Sequence, residues 1–132
     1  MENINLLLSD LCGRLPYNVK IKTVKYLENV DKFIESASTI HSIDILSQNV
    51  YCMDSSNTLS IVDVKPYLFP LSSMTDEQKV EFTIVQSQRY TGLYPYPSQC
   101  SKVLDWLNKN HFDYRDLIEK GLALDATNKN IY

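Results

Sequence analysis

Few residues in this 132-residue chain are equipped for acid, base or nucleophilic chemistry, so each can be weighed by type and spacing. His41 and His111 are the two histidines, the side chains whose ordinary pKa puts proton transfer near neutrality. The pattern around each signals no second ligand at helical or strand spacing. His41 lies in a polar, strand-like stretch, where exposure or a structural hydrogen bond explains it more simply than catalysis. His111 closes a helical stretch, where a charged imidazole complements the negative end of the helix dipole, so a capping role is expected.

Cys12, Cys52 and Cys100 are odd in number, far apart and in no C-x-x-C spacing, so neither a disulfide framework nor a zinc site is signalled. No Gly-x-Ser-x-Gly elbow is present, and Cys100 has no base beside it. Three glycines are too few for the phosphate cradles of dinucleotide or P-loop proteins. Asp113 and Asp116 stand one helical turn apart around Arg115 and read as acids favoured by the positive end of a helix. With no catalytic, metal or cofactor constellation, a non-enzymatic protein without a cofactor is expected.

Surface chemistry is the stronger signal. Nine tyrosines outnumber four phenylalanines and one tryptophan, and Tyr90, Tyr94 and Tyr96 share a loop stiffened by Pro95 and Pro97. A tyrosine ring offers a flat apolar face with a polar tip, suited to a protein interface or to stacking on a base. Packing of these rings onto the helices explains them equally well. Arg89 precedes the loop, and Arg115 follows the aromatic pair Phe112 and Tyr114; an arginine fork beside stacking rings is how a phosphorylated nucleotide is held. Pairing of Arg115 with Asp113, Asp116 or Glu119 competes with that role.

Charge narrows the classes further. Thirteen Lys and Arg against sixteen Asp and Glu give −3, which argues against a broad phosphate-backbone footprint and hence against nucleic acid as partner. Arg14, Lys20, Lys22, Lys25 and Lys32 nevertheless cluster early, whereas 35–63 holds four acids and no Lys or Arg. A positive face on the first strand, or a plain solvated one, follows from this. The amino end has no basic region and too short an apolar run for a signal peptide, and no stretch approaches the roughly 20 apolar residues of a membrane helix. A cytoplasmic protein with no membrane partner is expected.

These groups must be positioned by one domain over 1–132, mainly β over 1–70 and mainly helical over 71–132. The composition, 44% hydrophobic and 22% charged, is that of a chain that folds on its own core. Ile4, Leu7, Leu8 and Leu11 mark one face of a short helix over 3–13, with Gly13 placed to end it. From Val19 to Leu27 apolar and charged residues alternate, slipping phase at Thr23-Val24 as a bulged strand would. Strands over 33–38, 40–46 and 50–53 complete an antiparallel meander, with Gln48-Asn49 turning the chain. Leu59–Val64 fits helix or strand.

Thr75-Asp76-Glu77-Gln78 is a capping box, predicting a helix to about Gln88. A second helix opens at Ser98 and carries Val103, Leu104, Trp106 and Leu107 towards the core. A third, shorter helix is predicted to Lys120, ended by Gly121. Leu122-Ala123-Leu124 closes the chain as a strand or a packed tail. The fold class expected is α+β: a short helix, an antiparallel meander or small partly open barrel, then about three helices packed on it.

The stretches at 61–78 (IVDVKPYLFPLSSMTDEQ) and 105–124 (DWLNKNHFDYRDLIEKGLAL) closely resemble a family of small uncharacterised proteins of Bacteroidetes and their phages. Gly13-Arg14-Leu15-Pro16-Tyr17-Asn18-Val19-Lys20 is similar to that family's opening motif. The resemblance covers a little over a third of the chain, in order, and departs from the family at Phe69 and Asp116. It implies a phage setting, with the host bacterial cytoplasm as location, but no catalytic residues. Joined to the surface features, it makes an anti-defence protein the first expectation: a homo-oligomer sequestering a small cyclic nucleotide signal through Lys20, Lys22, Arg89, Tyr90, Tyr94, Tyr96, His111 and Arg115. The alternative is a protein–protein interaction module that inhibits a host or phage protein through a Tyr-rich surface.

Overall fold

The computed structural model describes residues 2–53, 58–87 and 97–132. Helix α1 spans Glu2–Arg14, and Leu7, Asp10, Leu11 and Arg14, spaced i, i+3, i+4, i+7, are its buried face. Gly13 lies inside its last turn. The chain turns away through a 3-10 segment, Leu15–Tyr17, in which Pro16 supplies no donor and Asn18 takes the left-handed conformation at φ 59°.

Strand β1 (Lys20–Leu27) pairs antiparallel with β2 (Lys32–Asp44) in unbroken register, from Lys20 opposite Thr39 to Leu27 opposite Lys32. The expected bulge at Thr23-Val24 is therefore absent. The phase slip there marks the point where β1 runs out past the core, so that apolar residues no longer have to point inward. The break in register falls in β2, between Ile40 and Ser42, and leaves His41 exposed. What reads as two strands over 33–46 is one long strand. β3 (Asn49–Cys52) and β4 (Thr58–Ser60) complete a curled sheet of order β1-β2-β3-β4. Ile61–Asp63 then forms a 3-10 turn, so Leu59–Val64 is part strand and part helix.

A second, parallel sheet has β5 (Tyr67–Pro70) between β6 (Phe112–Asp113) and β7 (Leu124–Asp125). The core between α1 and the sheets holds Leu7, Leu11, Ile21, Ile40, Val50, Ile61, Val64, Leu68 and Leu117. Helix α2 (Asp76–Ser87) begins on the expected capping box: Gln78 N–H donates to Thr75 Oγ1 at 3.1 Å and Thr75 N–H to Gln78 Oε1 at 2.9 Å. Helix α3 (Pro97–Lys109) packs on α2 through an edge-on contact of Phe82 and Trp106, with ring centroids 5.2 Å apart. Of its predicted core residues, Leu107 is buried, but Leu104 stays 43% exposed.

The architecture is α+β as expected, helix, curled antiparallel sheet, then helices. The last predicted helix differs, because the Asp113 carboxylate gathers the amides of Arg115 (3.2 Å), Leu117 (3.0 Å) and Ile118 (3.0 Å). That side chain competes with a regular helical ladder and winds the segment into one turn. Gly121, at φ 73°, closes it.

Candidate binding surface

The first polar concentration is internal. Arg14 is fully buried and grips Asp10 one turn back on α1, Nε to Oδ2 at 2.7 Å and Nη2 to Oδ1 at 3.1 Å, while Nη2 also donates to the Phe112 carbonyl at 2.7 Å. The residue that reads as part of an early basic surface is instead a strut between α1 and β6. Arg115 Nε approaches Asp10 Oδ1 at 3.4 Å, so its ionic partner is this distant acid and not Asp113, Asp116 or Glu119. Both guanidinium carbons lie over the Tyr114 ring, at 5.0 and 5.3 Å, and the Tyr114 hydroxyl donates to Asn108 Oδ1 at 2.8 Å. Arg115, expected to hold a phosphate, thus lies against Tyr114 and near Asp10, with its Nε making no hydrogen bond among the described residues and its side chain 34% exposed.

His111 follows α3 in the left-handed conformation, φ 62°, with its carbonyl accepting from Phe69 N–H at 2.8 Å. Its ring stacks on Tyr132, centroids 3.6 Å apart and 11° from parallel. Burial first, then the nearby charges of Arg14 and Lys20, push its pKa down to about 4. The imidazole is neutral at neutral pH, which corrects the expectation of a charged helix cap. The Tyr132 hydroxyl accepts from Lys20 N–H at 2.9 Å and donates to the Tyr67 carbonyl at 2.8 Å, pinning β1 to β5. Burial raises its pKa to about 12.

The second concentration lies on the surface. Among the described residues, 32–38 of β2 pair only with β1, since β3 joins β2 from Ile40 onward. The far halves of β1 and β2 therefore form a two-stranded ribbon, closed by a 3-10 turn at Glu28–Val30 and by Asp31 at φ 47°. On one face Tyr26 and Phe33 stand opposite in register with ring centroids 4.9 Å apart, and the Tyr26 hydroxyl donates to the Asp31 carboxylate. Val24, Tyr26 and Phe33 are 62%, 45% and 68% exposed.

Nearer the body, Lys22 Nζ meets Glu35 Oε1 at 2.7 Å, a hydrogen bond and charge contact that raises the lysine pKa and lowers the glutamate pKa. A groove of about 450 Å³ runs beside β1, lined by Lys22, Thr23, Val24, Leu59, Asp63, Lys65 and Leu124.

Of the four described members of the expected ligand set, Lys20 and His111 both meet Tyr132, while Lys22 and Arg115 lie elsewhere. Lys22 lines the groove, Lys20 sits half-buried at the foot of β1, and His111 and Arg115 belong to the internal cluster. Arg89, Tyr90, Tyr94 and Tyr96 lie outside the described residues. Sequence reasoning missed Asp10, Tyr132 and the ribbon's aromatic face. The spacing of Leu7, Asp10, Leu11 and Arg14 carried the first; nothing local carried the second.

Among the described residues no group of His, Cys, Asp and Glu is placed to hold a metal ion, and no helix is long and apolar enough to cross a membrane. No family model matches the chain, and neither a curated protein nor a solved structure matches it.

Proposed function

We propose that this chain is a non-enzymatic binding protein that engages a protein partner through the ribbon of β1 and β2. The resemblance to phage proteins makes that partner a host or phage protein. One observation carries the reading: Val24, Tyr26 and Phe33 line one face of a ribbon that has no further strand over it among the described residues. Two-stranded ribbons are marginal alone in water, and a rigid aromatic pair is the kind of anchor that interfaces bury at their centre. Covering a phenylalanine side chain in a partner stabilises by roughly 1.5–3 kcal/mol.

The test is crosslinking and capture from host cells. Wild-type protein is expected to retain a partner that Phe33→Ser loses, while Val80→Ser, on the exposed side of α2, retains it. Equal capture by Phe33→Ser would sink the reading.

Sequestration of a small nucleotide has one observation in its favour. Lys22 and Lys65 converge on the 450 Å³ groove, a volume within the range of small-ligand sites. Calorimetry with cyclic di- and trinucleotides tests it, and binding that survives Lys65→Glu would remove the groove from consideration.

A further inference from the structure

The outward edge of β1 is filled along its first half and open along its second. Lys20 N–H is taken by the Tyr132 hydroxyl at 2.9 Å, and Lys22 N–H by the Lys65 carbonyl at 3.1 Å, with Ile21 bridged to Pro66. Both donors point away from β2, so by the two-residue period of a strand the next outward donors are Val24 and Tyr26. Neither has a partner among the described residues. The chain's own segment at 65–66 thus lies along this edge as far as Lys22 and leaves it. Where it leaves, the groove lined by Lys22, Thr23, Val24 and Lys65 begins.

Resting on the protein-binding reading, we propose that the partner contributes an extended segment that adds as a strand to the open edge of β1. That segment lies in the groove, takes the N–H groups of Val24 and Tyr26, alternates apolar side chains beside theirs, and carries an acid at the end near Lys22 and Lys65. Strand addition draws affinity from main-chain hydrogen bonds and specificity from alternate side chains. The exposed side chains of Val24 and Tyr26 give the apolar alternation.

Charge selects the acid and argues against a second copy of this chain. Lys65 and Lys22, the latter shared with Glu35 of β2, face the groove against one acid of its lining, Asp63, and β1 itself holds lysines with no acid. A second β1 would bring its own Lys20 and Lys22 to that edge.

The probe is an acetylated, amidated hexapeptide of sequence ETVTVT, with KTVTVT as its counterpart. Amide hydrogen exchange is expected to slow at least tenfold at Val24 and Tyr26 with the first, and much less with the second. Val24→Pro removes an outward donor without touching the β1–β2 ladder, a substitution edge strands tolerate. It should weaken peptide binding at least tenfold, with the protection of β2 amides showing the ribbon intact.

Protection confined to other residues, or equal response to both peptides, overturns the proposal. So does protection that grows with protein concentration alone, which would identify a second copy as the occupant. If Val24→Pro still captures the cellular partner and Phe33→Ser does not, strand addition fails while protein binding stands. If both variants capture it, the protein-binding reading itself fails.

Discussion

Arg14 and Lys22 are both basic residues in the first quarter of the chain, yet they end in opposite environments. Around Arg14, charges face one another inside the fold: Asp10 faces two guanidiniums, Tyr114 lies beneath both, and Tyr132 and His111 close the neighbouring layer, with Arg14 Nη1, Arg115 Nε and His111 Nδ1 left without a hydrogen bond among the described residues. Around Lys22, one ion pair sits in water and two backbone donors further along the strand have no partner among the described residues. The chemistry that looks most reactive in the sequence, arginines and a histidine beside aromatic rings, serves to hold α1, α3 and the second sheet together. The plainer text of β1 and β2 is what faces outward. Polar groups buried against one another specify a fold's geometry, whereas binding depends on groups left unsatisfied at its surface.

If this contrast is right, the largest stability effects fall in the buried cluster. Asp10→Ala leaves two guanidiniums without their shared carboxylate, and removing one member of a buried ion pair typically costs about 3–5 kcal/mol. A drop of that size in denaturant midpoint, at unchanged slope, is expected. A loss below about 1 kcal/mol would show that water already reaches the cluster and would erase the distinction drawn here.

The pH dependence sharpens the same point. His111 has its pKa lowered from 6.5 to about 4 in the fold, so between those values the unfolded chain binds a proton that the native protein refuses. Stability therefore falls as pH drops from 6.5 through 4 and levels below it, by on the order of 2 kcal/mol once the ring's partial exposure is allowed for. His111→Asn keeps a side chain suited to φ 62° and should flatten that window in urea titrations. An unchanged slope would assign the acid sensitivity elsewhere.

How much of this was legible depended on how far apart the partners lie. The capping box at Thr75 and Gln78 and the left-handed Gly121 are local signals, and both hold in the structure. Asp10 and Arg14 show their pairing by helical spacing, but their burial depends on the Phe112 carbonyl, 98 residues away. His111 read as a charged cap because sequence places it at a helix end and is silent on what stacks over it; the cover is Tyr132. The expected third helix failed because the Asp113 carboxylate takes, besides that of Arg115, the amides of Leu117 and Ile118 that a helical ladder would have used. The ribbon was legible as strands, but its exposure was not, since alternation looks the same whether or not a third strand follows.

Tyr132→Phe probes the boundary between the two regions. Losing the hydroxyl strands the Tyr67 carbonyl and one β1 donor, Lys20 N–H. A loss of about 1–2 kcal/mol is expected, with the His111 stack retained. Faster exchange at the Lys20 amide, and none at the amides of β3, would locate the damage at the foot of β1.

The smallest expected change in stability is also the most informative about function. Phe33 is 68% exposed and touches chiefly the Tyr26 ring, so Phe33→Ser should shift unfolding by no more than about 0.5 kcal/mol. Asp10→Ala and Phe33→Ser then form a crossed pair: one unfolds the protein readily and leaves the ribbon's chemistry unaltered, the other leaves stability alone and removes the proposed anchor. At a temperature where both variants are folded, only Phe33→Ser should lose the partner. If Phe33→Ser instead costs several kcal/mol, the ribbon is packed in solution by something that buries it, and the open surface belongs elsewhere on the molecule.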